Sequence, residues 1–446
     1  MAKTSKTQLL TSSAIAGIAI LQFAPAVQAQ ENFGIRNQQP ELLEVVVDAG
    51  ESVEGNIIGV FGDTGPIAVT NNGSIRGNGF NGGSLQSLPG GGVVIAQGGS
   101  SVTNLGDISG AQFGITTISY LDPATGQFES RAIGTTVVNS GSISGEQDDG
   151  VRLIGGGVVQ NSGTISGTGS AFADGISMFP FADQANENYA ALVENGATGS
   201  ITGQRFGVIL SAGGDVTNDG TITGGTGGVL IQGTALNVAE GEDRSGLTAS
   251  VTNTGTISGT GDFGFGGTDG YGVGFGGDLA TATLVNSGTI TSAFNRGVLQ
   301  GSSAALTITN EATGTIEGAT SGIYSTGGSL TVINAGVIRG NGTYDGFDAS
   351  PDAGITIASA GSSVTNSGTI SGAGGGITTA FAFNTATSEL LGLAVGTVVT
   401  NSGTIAGESN DGVRLIGGGS VVNSGTISGT GGALADGISM FAYTDQ

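Results

Sequence analysis

One phrase, Val-x-Asn-x-Gly-x-Ile and its close variants, recurs thirteen times along the chain, and no other feature limits the fold as tightly. Its fullest form is Ser363-Val-Thr-Asn-Ser-Gly-Thr-Ile-Ser-Gly372, with variants from Val69-Thr-Asn-Asn-Gly-Ser-Ile75 to Val421-Val-Asn-Ser-Gly-Thr-Ile427. The aligned residues are Asn71, Asn104, Asn139, Asn161, Asn195, Asn218, Asn253, Asn286, Asn310, Asn334, Asn366, Asn401 and Asn423, and successive copies lie 22–24 or 32–35 residues apart. A second phrase falls between each pair: a Gly, then Val or Ile, as in Gly150-Val-Arg-Leu-Ile154 and Gly354-Ile-Thr-Ile357. A unit this short cannot bury a core of its own, so each copy must stack on its neighbours.

The minimal repeat of 22 residues is too short for a propeller blade and lacks the Leu framework of a leucine-rich repeat. No Gly-Gly-x-Gly-x-Asp run marks a calcium-binding nonapeptide array. Val, Ile and Thr alternating with Gly, Ser and Asn give short strands and tight corners. Three strands fit one coil: through Val-x-Asn, through Gly-x-Ile, and through Gly-Val-x-Leu. The expected fold is all-β, a right-handed parallel β-helix of about thirteen coils. Twelve steps between these coils, at about 4.8 Å each, make a rod of roughly 58 Å. Stacked Asn side chains are expected to bond amide to amide along the axis, a structural ladder that satisfies polar groups inside the coil. The Gly two residues after Asn is expected to supply the positive φ of a corner.

The chain divides into three parts. Residues 1–29 read as a Sec-type signal peptide, with Lys3 and Lys6 ahead of an apolar stretch, Pro25 as a breaker and small residues before Gln30. Residues 30–65 read as an N-terminal cap or degenerate first coil, and residues 66–446 as the solenoid. A longer period overlies the short one. Residues 102–184 recur as 364–446, an offset of 262, so Asp174-Gly-Ile-Ser-Met-Phe179 returns from Asp436 to Phe441. The second copy stops in mid-coil. A coding sequence that continues past Gln446 is therefore expected.

Composition removes several functions. There is no Cys and no His, which excludes thiolate and imidazole metal sites, Cys nucleophiles and His-based triads. A formal charge of −24 with only 11 Lys and Arg speaks against nucleic acid as a partner. The Gly-rich runs lack the Gly-Lys-Ser/Thr of a phosphate loop. Paired carboxylates are the remaining catalytic possibility, because β-helices also house enzymes that act on polysaccharides. Asp148, Asp149 and Asp174 are the candidates, with Asp411 and Asp436 in the second copy. Asp149 and Asp174 share one column, just before its Gly, where Asp is also an ordinary turn residue. Turn chemistry is the expectation, with a cation site and catalysis as alternatives. No catalytic, cofactor or metal residue is assigned, and no cofactor is expected. Thr221-Ile-Thr223 and Thr289-Ile-Thr291 suggest an ice-binding row, but most coils break that pattern.

Extra residues enter the long coils at two places. One follows the Ile strand, at 78–90, 260–270 and 341–352. The other follows the Val-x-Leu strand, at 120–133, 180–191, 234–247 and 382–394. These loops hold most of the aromatic and charged side chains, and loops on a rigid scaffold are where binding usually resides.

The leader, the absent Cys, the Gly-rich acidic body and the tandem Val-x-Asn-x-Gly-x-Ile coils together resemble the passenger region of Gram-negative autotransporters, over about residues 30–446. Related coil phrases also occur in large haemagglutinin-like exoproteins. The resemblance implies a β-helical passenger delivered to the cell surface by its own C-terminal outer-membrane β-barrel, which this sequence does not contain. The expected function is a non-enzymatic stalk or adhesin at the cell surface or secreted, with glycans or surface proteins as partners of its edge loops. A carbohydrate-active β-helix is the alternative, and a pure spacer the third reading.

Overall fold

The computed structural model describes residues 32–79, 89–121, 128–179, 191–233, 246–261, 270–342, 353–384 and 389–441, with residues 20–21 and 27–28 ahead of them. Three parallel sheets of fifteen strands each run the length of the molecule, and each sheet takes every coil in sequence order. This is a parallel β-helix with three strands per coil. The described residues contain no helix, and so none long and apolar enough to cross a membrane.

The first sheet carries the Asn phrase, from Leu43–Val47 and Ile67–Asn71 to Gly419–Asn423. The second carries the Ile phrase, from Ser52–Gly55 to Thr426–Gly429. The third carries the Gly-Val phrase, from Phe33–Asn37 and Ile58–Gly62 to Ile438–Phe441. Register holds across unequal coils: Asn71 pairs with Asn104, and Asn104 with Asn139. Loops absorb the length differences outside the strands, as a period-two pattern with one buried face requires.

The stack from residue 43 onward has fourteen coils, one more than the Asn motif reveals. Leu43–Val47, Ser52–Gly55 and Ile58–Gly62 form a complete coil in which Val47 occupies the Asn column, paired with Asn71. Val47 is fully buried, so an apolar residue fills that place and hides the coil from a search on Asn. Fourteen coils at about 4.8 Å per step give a stack of roughly 62 Å. Of the expected leader, residues 20–21 and 27–28 pair as two-residue strands with 44–45 and 53–54, and the rest lies outside the described residues.

The main core is one column of stacked, mostly aliphatic side chains. Val69, Ile75 and Val93 line one coil, and Val251, Ile257 and Val273 another, all buried. The first two sheets alternate buried and outward residues. In the third, strands such as Gly91–Ile95, Phe113–Thr117 and Phe206–Leu210 are buried on both faces. Its outer side therefore carries a second layer, which the sequence pattern did not announce.

The Asn-x-Gly glycine has a different role from the one expected. None of these glycines has positive φ. A Cβ on Gly106 would sit 2.0 Å from the Gly73 carbonyl oxygen, and one on Gly141 2.0 Å from that of Gly106. Gly is required there because successive coils approach too closely for any side chain. Positive φ is found instead at corners such as Gly155-Gly156-Gly157, repeated at Gly417-Gly418-Gly419.

Two of the expected loop regions contain antiparallel hairpins. Ser119–Leu121 pairs with Phe128–Ser130, and Phe381–Asn384 with Glu389–Gly392. Starts at Ser119 and Phe381 differ by the same 262 residues, so the diverged loops keep one backbone form. Most of the other loop segments, including 181–189 and 240–244, lie outside the described residues.

Candidate functional site

The thirteen Asn side chains stand in one file, twelve of them buried and the last, Asn423, exposed. Each amide Nδ2 donates to the Oδ1 of the next coil's Asn, at 2.7–2.8 Å, in twelve consecutive bonds from Asn71 to Asn423. Every bond points the same way along the axis. The same Nδ2 also reaches main-chain carbonyls at the corner: Asn253 donates to the Gly255 oxygen at 3.2 Å and to the Thr289 oxygen at 3.3 Å. The two copies with the Ala-Thr insertion stay in line, because Asn195 and Asn310 reach Gly199 and Gly314 instead. At the first rung the Asn71 Oδ1 accepts from the Gly73 N–H, since Val47 offers no donor. The ladder is structural: its polar atoms are used by one another.

The carboxylates gather elsewhere, where the chain turns into the third sheet. Asp149 and Asp174 each precede the Gly that opens a strand, and both are fully buried. Asp149 accepts from the Asp174 N–H at 2.8 Å, from Arg152 Nε at 2.6 Å, and from the Ser177 hydroxyl. Asp174 accepts Nε and Nη2 of Arg205 at 3.0 and 2.6 Å, a two-point grip, and the Phe206 N–H at 3.0 Å. Asp148, at the rim, accepts Nη2 of Arg152 at 2.7 Å and keeps 21% of its side chain exposed. Aromatic rings cover the guanidiniums. Arg152 lies 4.3 Å from the centre of the Phe113 ring and 5.9 Å from that of Phe179, and Arg205 lies 5.1 Å from Phe206.

Three carboxyls thus face two guanidiniums. Burial first, and the neighbouring Asp149 second, push Asp148 up to about 7 against the pull of Arg152. Asp174 is pushed in the same direction by burial and Asp149, opposed by Arg205 and the Phe206 N–H. One carboxyl more than the cations can neutralise in a desolvated corner holds a proton toward neutral pH. Of the three carboxyls, Asp148 is the one with part of its side chain exposed.

The second copy is a reduced version. Asn410 stands where the first copy has Asp148, and Gly375 where it has Phe113. Asp411 still accepts the Asp436 N–H at 2.8 Å, and Arg414 lies 4.0 Å from Asp411. Asp149 and Asp174 are therefore brought together, as their shared column implied, but through a main-chain N–H and with arginine partners. Arg152 and Arg205 were missed as partners. The available signal was the Arg three residues after Asp149, which recurs at Arg414 after Asp411. Among the described residues no three acidic side chains converge as a metal ion would need.

No family model, no curated protein and no solved structure matches this chain.

Proposed function

We propose that the chain is a non-enzymatic passenger of the autotransporter kind, an exported stalk or adhesin that projects from a cell surface or is released from it. The observation that carries this reading is how the acidic residues are used. Asp149 and Asp174, the candidates for acid–base work, are fully buried and their oxygens are taken by Arg152, Arg205, Ser177 and main-chain N–H groups. General acid–base catalysis needs a carboxyl within reach of substrate, and these two serve the corner instead. The rest of the molecule is a rigid repeat whose insertions leave the strands undisturbed, the arrangement by which a scaffold presents variable contacts. Its expected partners are glycans or proteins of another surface, met by the edge loops. Its expected carrier is an outer-membrane β-barrel, with residues 1–29 as the export leader.

A polysaccharide lyase or hydrolase is the second reading. Asp148 favours it, as a part-exposed carboxyl raised to about 7 beside buried acids. A glycan array combined with reducing-end and unsaturated-product assays on the intact chain separates the two. Binding without turnover is the expected result. Turnover that disappears in both Asp148→Asn and Asp149→Ala would overturn the proposal, and neither binding nor turnover would reduce the role to a spacer.

A further inference from the structure

We infer that a trough on the corner between the second and third sheets, over the coils of Asn286 and Asn310, is a binding site for a neutral oligosaccharide. The inference rests on the adhesin reading, for which it names the contact surface and the ligand class. Corner length builds the trough. In these two coils the chain passes from the second sheet to the third over the short corners Ser292 to Arg296 and Gly318 to Ile323. The flanking coils, those of Asn253 and Asn334, spend the longer stretches Gly259 to Tyr271 and Gly340 to Ala353 on the same corner. Two short corners thus lie between two long ones, which stand about 14 Å apart at the spacing of stacked strands. The described residues outline a cavity of about 410 Å³ there, the size of a small-ligand site.

The lining selects the ligand. Thr260 and Thr291 bring hydroxyls, Glu317 a carboxylate, Asn341 an amide, and Ala293 and Ala319 methyl groups. The polar pair is set before any ligand arrives. Arg339 Nε donates to the Asn341 Oδ1 at 2.6 Å, and Asn341 Nδ2 donates to the Glu317 Oε1 at 2.6 Å. An amide has a second N–H and a carboxylate further lone pairs, the donor and acceptor that adjacent sugar hydroxyls need. Phe294, next to Ala293 in the chain, is 42% exposed. Methyl groups and an exposed ring suit the C–H face of a pyranose. Other ligand classes lack what they need. No Lys or Arg lines the cavity and the chain carries a formal charge of −24, so phosphates and uronates are repelled. A peptide needs a free strand edge or apolar pockets for its side chains. The strands beneath, Thr289–Ser292 and Thr315–Gly318, are paired on both sides, and the only apolar side chains in the lining are the two alanines.

An array of oligosaccharides applied to the intact chain tests it, with calorimetry on each ligand found. The neutral set is the cello-, malto-, manno- and chito-oligosaccharides, and the acidic set is oligogalacturonates. Binding of a neutral member is expected, and binding of the acidic set is not. Glu317→Ala and Asn341→Ala are each expected to raise Kd roughly tenfold or more, the loss of a hydrogen bond to a charged or oriented group. Ala293→Met, at an exposed position, puts a long side chain in the trough and is expected to weaken binding as much. Ser144→Ala, outward on the same sheet but away from the trough, is expected to leave Kd unchanged. Circular dichroism checks that each variant keeps its β signal. Neutral binding that is indifferent to all three trough variants overturns the inference and leaves the adhesin reading standing with its contacts elsewhere. Binding of the acidic set alone does the same. No binding to either set overturns the inference and the adhesin's glycan contacts together.

Discussion

Asn286 accepts from Asn253 at 2.8 Å and donates to Asn310 at 2.8 Å, so one residue joins three coils. Replacing it with Ala leaves a buried acceptor on Asn310 without its donor and removes one acceptor from Asn253. The expected cost is about 2–4 kcal/mol. Asn286→Asp is expected to cost more, because a buried carboxylate facing the Asn310 Oδ1 has no hydrogen to give. Hydrogen exchange of the coils around 253–310 is the suitable readout, since a solenoid opens locally. The Asn file was legible in the sequence because nearly every coil spends the same residue at the same place. The acidic corner was less so. Arg205 grips Asp174 from 31 residues away, across loops of unequal length, and only the stacking makes them neighbours. That corner also predicts a pH dependence. Burial and the neighbouring Asp149 raise the folded Asp148 carboxyl from its ordinary 3.8 to about 7. Between those values the native state holds more protons than the unfolded state, so stability falls as pH rises through the window and levels off above it. Asp148→Asn, the residue the second copy already has at 410, should weaken the response of the urea midpoint in that window, leaving the part that Asp174 supplies. It should also raise the midpoint on the alkaline side. An unchanged pH profile in this variant would remove the retained proton from the account.

At the scale of a single strand and corner, glycine is what sets how closely coils approach. The sequence showed that Gly was fixed two residues after Asn, and positive φ was the natural reason to assign. The structure supplies another: the space is occupied by the carbonyl of the coil before. A corner oxygen that already accepts from the next coil, as the Gly220 oxygen does from the Thr256 N–H at 2.8 Å, cannot move aside as a side chain can, so the penalty for a Cβ is large. Gly255→Ala would place its Cβ 2.1 Å from the Gly220 oxygen, and the expected loss is upwards of about 3 kcal/mol, the top of the range for overpacking. Gly246 has nothing within 4 Å of a Cβ and no positive φ. Gly246→Ala should be neutral or stabilise by up to about 1 kcal/mol, through the unfolded chain. Thermal and urea melts of the two variants, side by side, distinguish close stacking from a general need for flexible corners. If both lose stability equally, the stacking explanation fails. The outer layer on the third sheet was not legible, because residues buried on both faces, such as Phe206 and Tyr271, read as ordinary strand residues.

Across the whole molecule, stability is a property of neighbours, and the duplicated block provides an internal comparison. Asp174-Gly-Ile-Ser-Met-Phe179 and its repeat from Asp436 to Phe441 are identical in sequence, and both segments hold the same place in the third sheet. Local propensity, turn chemistry and hydrophobic pattern are therefore equal in the two. Their surroundings differ. Ile176 and Met178 are fully buried beneath the Phe206–Leu210 strand, whereas in the 446-residue chain Ile438 and Met440, in the last described coil, are 42% and 47% exposed. If burial came from the coil's own fold, both methionines would be protected alike. If it comes from the coil above, only Met178 is. Dilute peroxide followed by peptide mass spectrometry reads this directly, because thioether oxidation follows access to solvent. Met440 should convert to sulfoxide several-fold faster than Met178, and Met178 should react only as the stack opens. Mild urea, below the main transition, should narrow the difference by opening inner coils, since each coil is held mainly by the two beside it. Equal rates in native buffer would mean that a single coil protects its own interior, and the argument from stacking would fall.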